Sequence, residues 1–112
     1  MNMADIAIHK EDGERHGRYV AKVAGIDAEA ELTYTHRGPA LISADHTGAP
    51  DELRGTGAAA ALVDYLIADA RAGGFKIIPL CPYVRARYEK HPEWQDVMTV
   101  GPGEMPPIPA RH

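Results

Sequence analysis

The hydrophobic period of this chain changes once, at Gly57, and that change limits what the chain can fold into. Before it, apolar side chains recur at every second residue. In AEAELTYT, Ala28, Ala30, Leu32 and Tyr34 fall on one face and Glu29, Glu31, Thr33 and Thr35 on the other, as in a half-buried strand. After it, Ala59, Leu62, Val63, Leu66, Ile67 and Ala70 recur at helical spacing, with Asp64 and Arg71 opposite. Strands followed by helices predict an α/β (α+β) domain with a mostly antiparallel sheet and two main helices.

Strands are expected within residues 3–9, 17–24, 28–36, 39–46 and 75–80, and helices near 57–72 and 83–90. Turn signals at Glu11-Asp12-Gly13-Glu14, Ala24-Gly25-Ile26-Asp27 and His36-Arg37-Gly38-Pro39 join the first four strands into a meander. Gly73-Gly74 supplies a left-handed cap for the first helix, and the apolar FKIIPL follows as a buried fifth strand. A helix between neighbouring strands gives a right-handed crossover, so the fourth and fifth strands should run parallel. Pro79 cannot donate to a ladder, which predicts that the fifth strand is unpaired on one side near its end. Pro82 then opens the second helix at its first position, and His91-Pro92 closes it. The domain is expected to span residues 1–100, with a loosely ordered Pro- and Gly-rich tail over 101–112.

Composition excludes some functions. A formal charge of −4 argues against nucleic acid or an anionic membrane as the main partner, since both reward clustered Lys and Arg. No apolar run approaches the roughly 20 residues that span a bilayer, and the N-terminus lacks a charged-then-apolar signal. A single cysteine, Cys81, fits a reducing compartment, so the expected location is cytoplasmic.

Directly before the first helix stands RGTGAAAALV. Bare backbone at Gly55 and Gly57 allows a ligand to reach the free amides of the first helical turn, where the helix dipole favours negative charge. Phosphate is the obvious guest, and the plainer alternative is a tight turn. A P-loop would need Gly-Lys-Ser/Thr where Ala58-Ala59 stand, and a dinucleotide fingerprint would follow the first strand of a parallel unit. On the cradle reading, Gly57→Val should block the ligand while the helix start otherwise tolerates it.

Arg54-Gly55-Thr56-Gly57-Ala58-Ala59 resembles the Q/R-x-x-G-x-G/A pyrophosphate loop of the GNAT superfamily of N-acetyltransferases. More narrowly, the segment from His46 to Trp94 is similar to the short, YjdJ-type branch: HTxVPxxLRGxG, a helix, a P-x-C segment and a Tyr-bearing helix ending at His-Pro-Glu. Ala49 stands where that pattern has Val. Over residues 1–45 the resemblance rests on strand order alone, and it ends before Gly101. It implies acetyl-CoA (or CoA) as cofactor, with the pantetheine arm between splayed fourth and fifth strands. By position, Arg54 to Ala59 would hold the phosphates. The backbone of Thr47, Gly48 and Ala49 would pair with the pantetheine amides and polarise the thioester carbonyl.

Three residues are candidates for chemistry. Cys81 precedes Pro82 at a helix start, where the dipole favours a thiolate, though lone cysteines are commonly small buried hydrophobes. Tyr88 matches the superfamily's tyrosine that protonates the departing thiolate, or else packs on the sheet. His46, expected on the face of Ile42 and Ala44 beside the thioester, is a candidate general base, or else bonds neighbouring backbone to fix a bulge. Arg85 and Arg87 should face water or the CoA phosphates. The other histidines show no metal-ligand spacing, so no metal is expected.

Two functions remain. One is an acetyltransferase acting on an amine, either a small polyamine or a protein amine, by direct attack or through acetylated Cys81. The other is a non-catalytic CoA- or acyl-CoA-binding module, because little chain precedes the loop to build an acceptor pocket. A monomer or weak homodimer is expected.

Overall fold

A computed structural model describes residues 5–107. Five strands form one sheet in the order β1 (Ile6–Asp12), β2 (His16–Val23), β3 (Glu29–Gly38), β4 (Leu41–Gly48), β5 (Lys76–Pro79). Neighbours are antiparallel except β4 and β5, which are parallel and joined by helix α1 (Ala58–Gly73). Helix α2 (Pro82–Lys90) follows β5. Gly74, at φ 72°, supplies the left-handed cap of α1, and Pro82 stands in the first turn of α2.

The helical stripe and the alternating strands bury one common core. Leu62, Val63, Leu66 and Ile67 of α1 and Val84 and Tyr88 of α2 join Ala30, Leu32, Tyr34, Ile42 and Ala44 of the sheet in a single cluster. Each large aliphatic side chain buried there contributes about 1.5–3 kcal/mol relative to exposure. Both helices therefore lie on one side, and Arg87 reaches Asp64 across them at 3.5 Å. Among the described residues no helix covers the opposite face of the sheet.

β1 runs on to Asp12, through residues that read as a turn, because cross-strand partners hold them. Arg18 bonds Glu11 at 2.8 Å, and the hydroxyl of Tyr34 donates to Asp12. To reach β1 the Tyr34 ring lies across β2 at Gly17, where any Cβ would collide with the tyrosine hydroxyl. That bond, offset in part by desolvation and aided by His36, holds the Asp12 carboxyl below the usual aspartate range. Residues 3 and 4 of the expected first strand lie outside the described residues.

β4 departs from regular alternation. Tyr34 pairs with Ala44, but Thr33 pairs with His46, so Asp45 is an extra residue in a β-bulge. Two residues of β4 oppose one of β3, and the faces reverse beyond that point. His46 is therefore exposed on the helix-free side with Thr33, and not on the face of Ile42 and Ala44 as strict alternation predicts. Thr47, opposite Leu32, takes the core side instead.

A further 3-10 segment, Pro92–Val97, was not anticipated. It buries Trp94 and Val97, and Met98 bridges to Ile77 at the outer edge of β5. Arg71 of α1 ties it down by a 2.9 Å ion pair with Asp96. In the tail, Pro106 is buried and the Gly101 amide donates to the Glu104 carboxylate, while residues 102–105 and 107 are exposed. Residues 108–112 of the tail lie outside the described residues.

Candidate active site

The parallel pairing of β4 and β5 runs from Leu41–Lys76 to Ala44–Pro79 and stops. The Cys81 amide makes one more bond, 2.8 Å to the Ala44 carbonyl, before Pro82 starts α2. Three residues cause the break. Asp45 turns β4 away, Pro79 has no N–H to offer, and Pro82 sends the chain into a helix. From Asp45 to Gly48, β4 pairs only with β3, which leaves its other edge open. A single-sided strand edge presents backbone donors and acceptors to an extended ligand.

Beyond this edge, Asp51–Leu53 forms a 3-10 turn anchored by buried Leu53, and the chain enters the glycine loop. Gly55 and Gly57 have φ of 80° and 84°, a left-handed conformation that L side chains adopt at a cost of roughly 1–2 kcal/mol. A Cβ at either position would meet nothing within 4 Å. The glycines thus serve two purposes: they allow the backbone its turn and leave open space in front of the helix. The expectation that Val would be tolerated at Gly57 is overturned by its positive φ, which a β-branched residue resists.

Two amides of the first turn are used internally. Ala61 donates to the Gly57 carbonyl at 2.9 Å, and Ala58 to the Thr56 hydroxyl at 3.2 Å. Thr56 in turn donates to the Leu53 carbonyl at 2.6 Å, so its side chain holds the loop. The amides of Ala59 and Ala60 have no protein partner among the described residues and point out of the helix mouth. Arg54 bonds Asp51 at 2.9 Å, yet its side chain is 82% exposed and free to turn towards an anion.

The candidate side chains separate into three places. Cys81 caps α2 as expected but is only 2% exposed, with its sulfur 3.4 Å from the Thr47 hydroxyl. Tyr88 is fully buried two turns along α2, and its hydroxyl donates to the Val100 carbonyl at 2.7 Å. Burial, with Glu104 adding repulsion, raises its pKa above the ordinary phenol value. His46 stands on the other face of the sheet. The structure therefore joins Thr47 with Cys81, but it does not bring His46 to them. Arg85 is spent on the carbonyls of Pro79 and Leu80, at 3.0 and 2.7 Å.

The helix-free face holds what the sequence reading missed. A cavity of about 560 Å³ is lined by Glu11, His16, Arg18, Thr33, Thr35 and Asp45. Asp45 accepts hydrogen bonds there from Ser43, at 2.7 Å, and from Thr35. Alternation alone puts Ser43 and Asp45 on this face, so the signal was present in the sequence.

Residues 18–97 match the family model for GCN5-related N-acetyl-transferases. Among solved structures, the chain is similar to one from Staphylococcus aureus, determined in solution and assigned as a GCN5-like N-acetyltransferase. The two share 31% identity over 90% of this chain and 92% of that one, with a TM-score of 0.59. Among curated proteins, none matches.

Proposed function

The chain belongs to the GCN5-related N-acetyltransferase family, and from that premise we propose that it moves an acetyl group from acetyl-CoA to an amine. The observation that carries the proposal is the adjacency, along one stretch of chain, of an open β4 edge and a bare anion cradle. The edge suits the amides of pantetheine; the cradle suits its pyrophosphate. Agreement with the glycine-loop pattern extends the proposal to the short YjdJ-type branch. The lone free thiol suits the cytoplasm.

Acetyl-CoA supplies an activated carbonyl carbon. The amides of Ala59 and Ala60, with Arg54, bind the phosphates, and the backbone of Thr47, Gly48 and Ala49 orients the pantetheine arm. The helices close one side of the sheet, so the amine approaches from the other. Exposed His46 stands on that side and takes the amine proton directly or through water. Direct attack is preferred to acetylation of Cys81, because a thiol that is 2% exposed meets neither acceptor nor solvent readily. Tyr88 is the candidate acid for the departing thiolate, a role that requires its fully buried hydroxyl to leave the Val100 carbonyl and reach the thioester.

The same hydroxyl contact favours the second reading, a CoA-binding module without turnover. CoA release measured with a panel of amines separates them: amine-dependent release supports the transferase, and CoA binding without release supports the module.

A further inference from the structure

We propose that Asp45 is the anchor for an alkylammonium group of the acceptor, bound in the cavity on the helix-free face. This inference rests on the transferase reading. Proton removal stays with the base named above.

Four observations converge on this residue. The bulge makes Asp45 the extra residue of β4, immediately before the open edge that begins to diverge from β5. Its carboxylate is held in place at both oxygens. Ser43, itself fully buried, donates to Oδ1 at 2.7 Å, and Thr35 donates to Oδ2. Arg37 Nε donates to the Ser43 oxygen at 2.9 Å, which fixes the direction of that relay. An ionised carboxylate accepts about four hydrogen bonds, so two sites remain for a ligand.

The charges around the cavity sharpen the assignment. Arg18 is engaged by Glu11 and Glu31, both at 2.8 Å, with Glu29 at 3.6 Å. Glu11 also faces His9 at 2.7 Å. Asp45 makes no ion pair among the described residues, although it lines the same cavity. A carboxylate fixed by two hydroxyls and in no direct ion pair, with the nearest guanidinium, Arg37, spent on Ser43, is complementary to a primary ammonium, which brings three donors and one charge. The anion-seeking side chain of the cavity is already neutralised, so an acidic acceptor has no comparable partner. The cavity of about 560 Å³ admits either a small polyamine or a lysine side chain.

Asp45→Asn keeps the shape and removes the charge. Steady-state kinetics would use 1,4-diaminobutane, a lysine-containing peptide and an arylamine that is neutral at pH 7. In the variant, KM for the better alkylammonium acceptor should rise at least tenfold. KM for the arylamine, KM for acetyl-CoA and the CoA-dependent melting shift should stay unchanged. Whichever alkyl acceptor has the lower wild-type KM identifies the source of the ammonium. An unchanged KM for both alkyl acceptors overturns the anchor while leaving the transferase standing. An equal loss with the arylamine also overturns it, because that marks a structural role. Failure of the wild type to acetylate any of the three defeats the transferase reading and this inference with it.

Discussion

The two halves of β4 differ in composition and in behaviour, Leu41 to Ala44 being mostly apolar and Asp45 to Gly48 polar. From Leu41 to Ala44 the strand is paired on both sides, and Ile42, Ser43 and Ala44 are buried. From Asp45 to Gly48 it is paired on one side only, and none of its four residues is buried. One inserted residue and the prolines flanking the end of β5 produce the change. The first half fixes the sheet; the second is held in place by the first while its edge stays open. Stability and binding should therefore respond to different substitutions within one strand and its surroundings.

The largest effect should come from the locked half. Ile42→Ala removes a side chain that is 4% exposed and should cost about 2–4 kcal/mol, read by urea unfolding. Its CoA-dependent melting shift should persist wherever the variant folds. If that shift disappeared in a folded variant, the two halves would not be separable.

A smaller loss is expected towards the β1 edge of the sheet, where Tyr34 ties β3 to β1. Tyr34→Phe should cost about 1 kcal/mol by deleting the bond to Asp12. That bond is the leading cause of the lowered Asp12 pKa, so the carboxylate's contribution is present above the ordinary aspartate range. It is lost as pH falls through the lowered folded value. The half-exposed carboxylate limits the size of the effect. Wild type should lose stability over that acidic window, and Tyr34→Phe should lose less of it. Equal acid profiles would dissociate the tyrosine from the shift.

Beside the open half, Arg54→Ala should leave stability within about 0.5 kcal/mol, since its ion pair with Asp51 is exposed. It should weaken CoA binding several-fold, because it removes a charge but not the backbone cradle. A complete loss of binding, read by calorimetry, would show that the side chain and not the amides carries the anion.

The sequence made the sheet legible because one face of each strand had to be apolar, and the Gly57 boundary marked where the period changed. Strand order and the parallel pair followed from short turns and one crossover helix. Fixing a bulge is one of the two roles that the position of His46 suggests, but the bulge's location was hidden, because inserting Asp45 changes neither composition nor turn signals while reversing the face of His46. Pro92–Val97 was hidden for another reason: a segment so short shows no periodic stripe, and Trp94 finds its place only through contacts with α1 and α2. Cys81 and Pro82 were placed correctly at the helix start, since proline fixes that position locally. Burial of the thiol and the Val100 partner of Tyr88 depend on distant chain, which no local pattern reports. The glycines were read as room for a ligand, and their positive φ adds a requirement visible only in the backbone.

That requirement decides how the central claim, an anion cradle at Gly57 and the amides behind it, is tested. Asn tolerates the left-handed region better than other side chains, so Gly57→Asn adds bulk to the open space with little backbone strain. CoA at about 100 times its dissociation constant stabilises a native protein by about 2.7 kcal/mol. For a domain of this size that corresponds to on the order of ten degrees in Tm. Wild type should show that shift, and Gly57→Asn should show almost none while melting near the wild-type temperature without ligand. A full CoA-dependent shift in Gly57→Asn would contradict the account and reduce the loop to a turn.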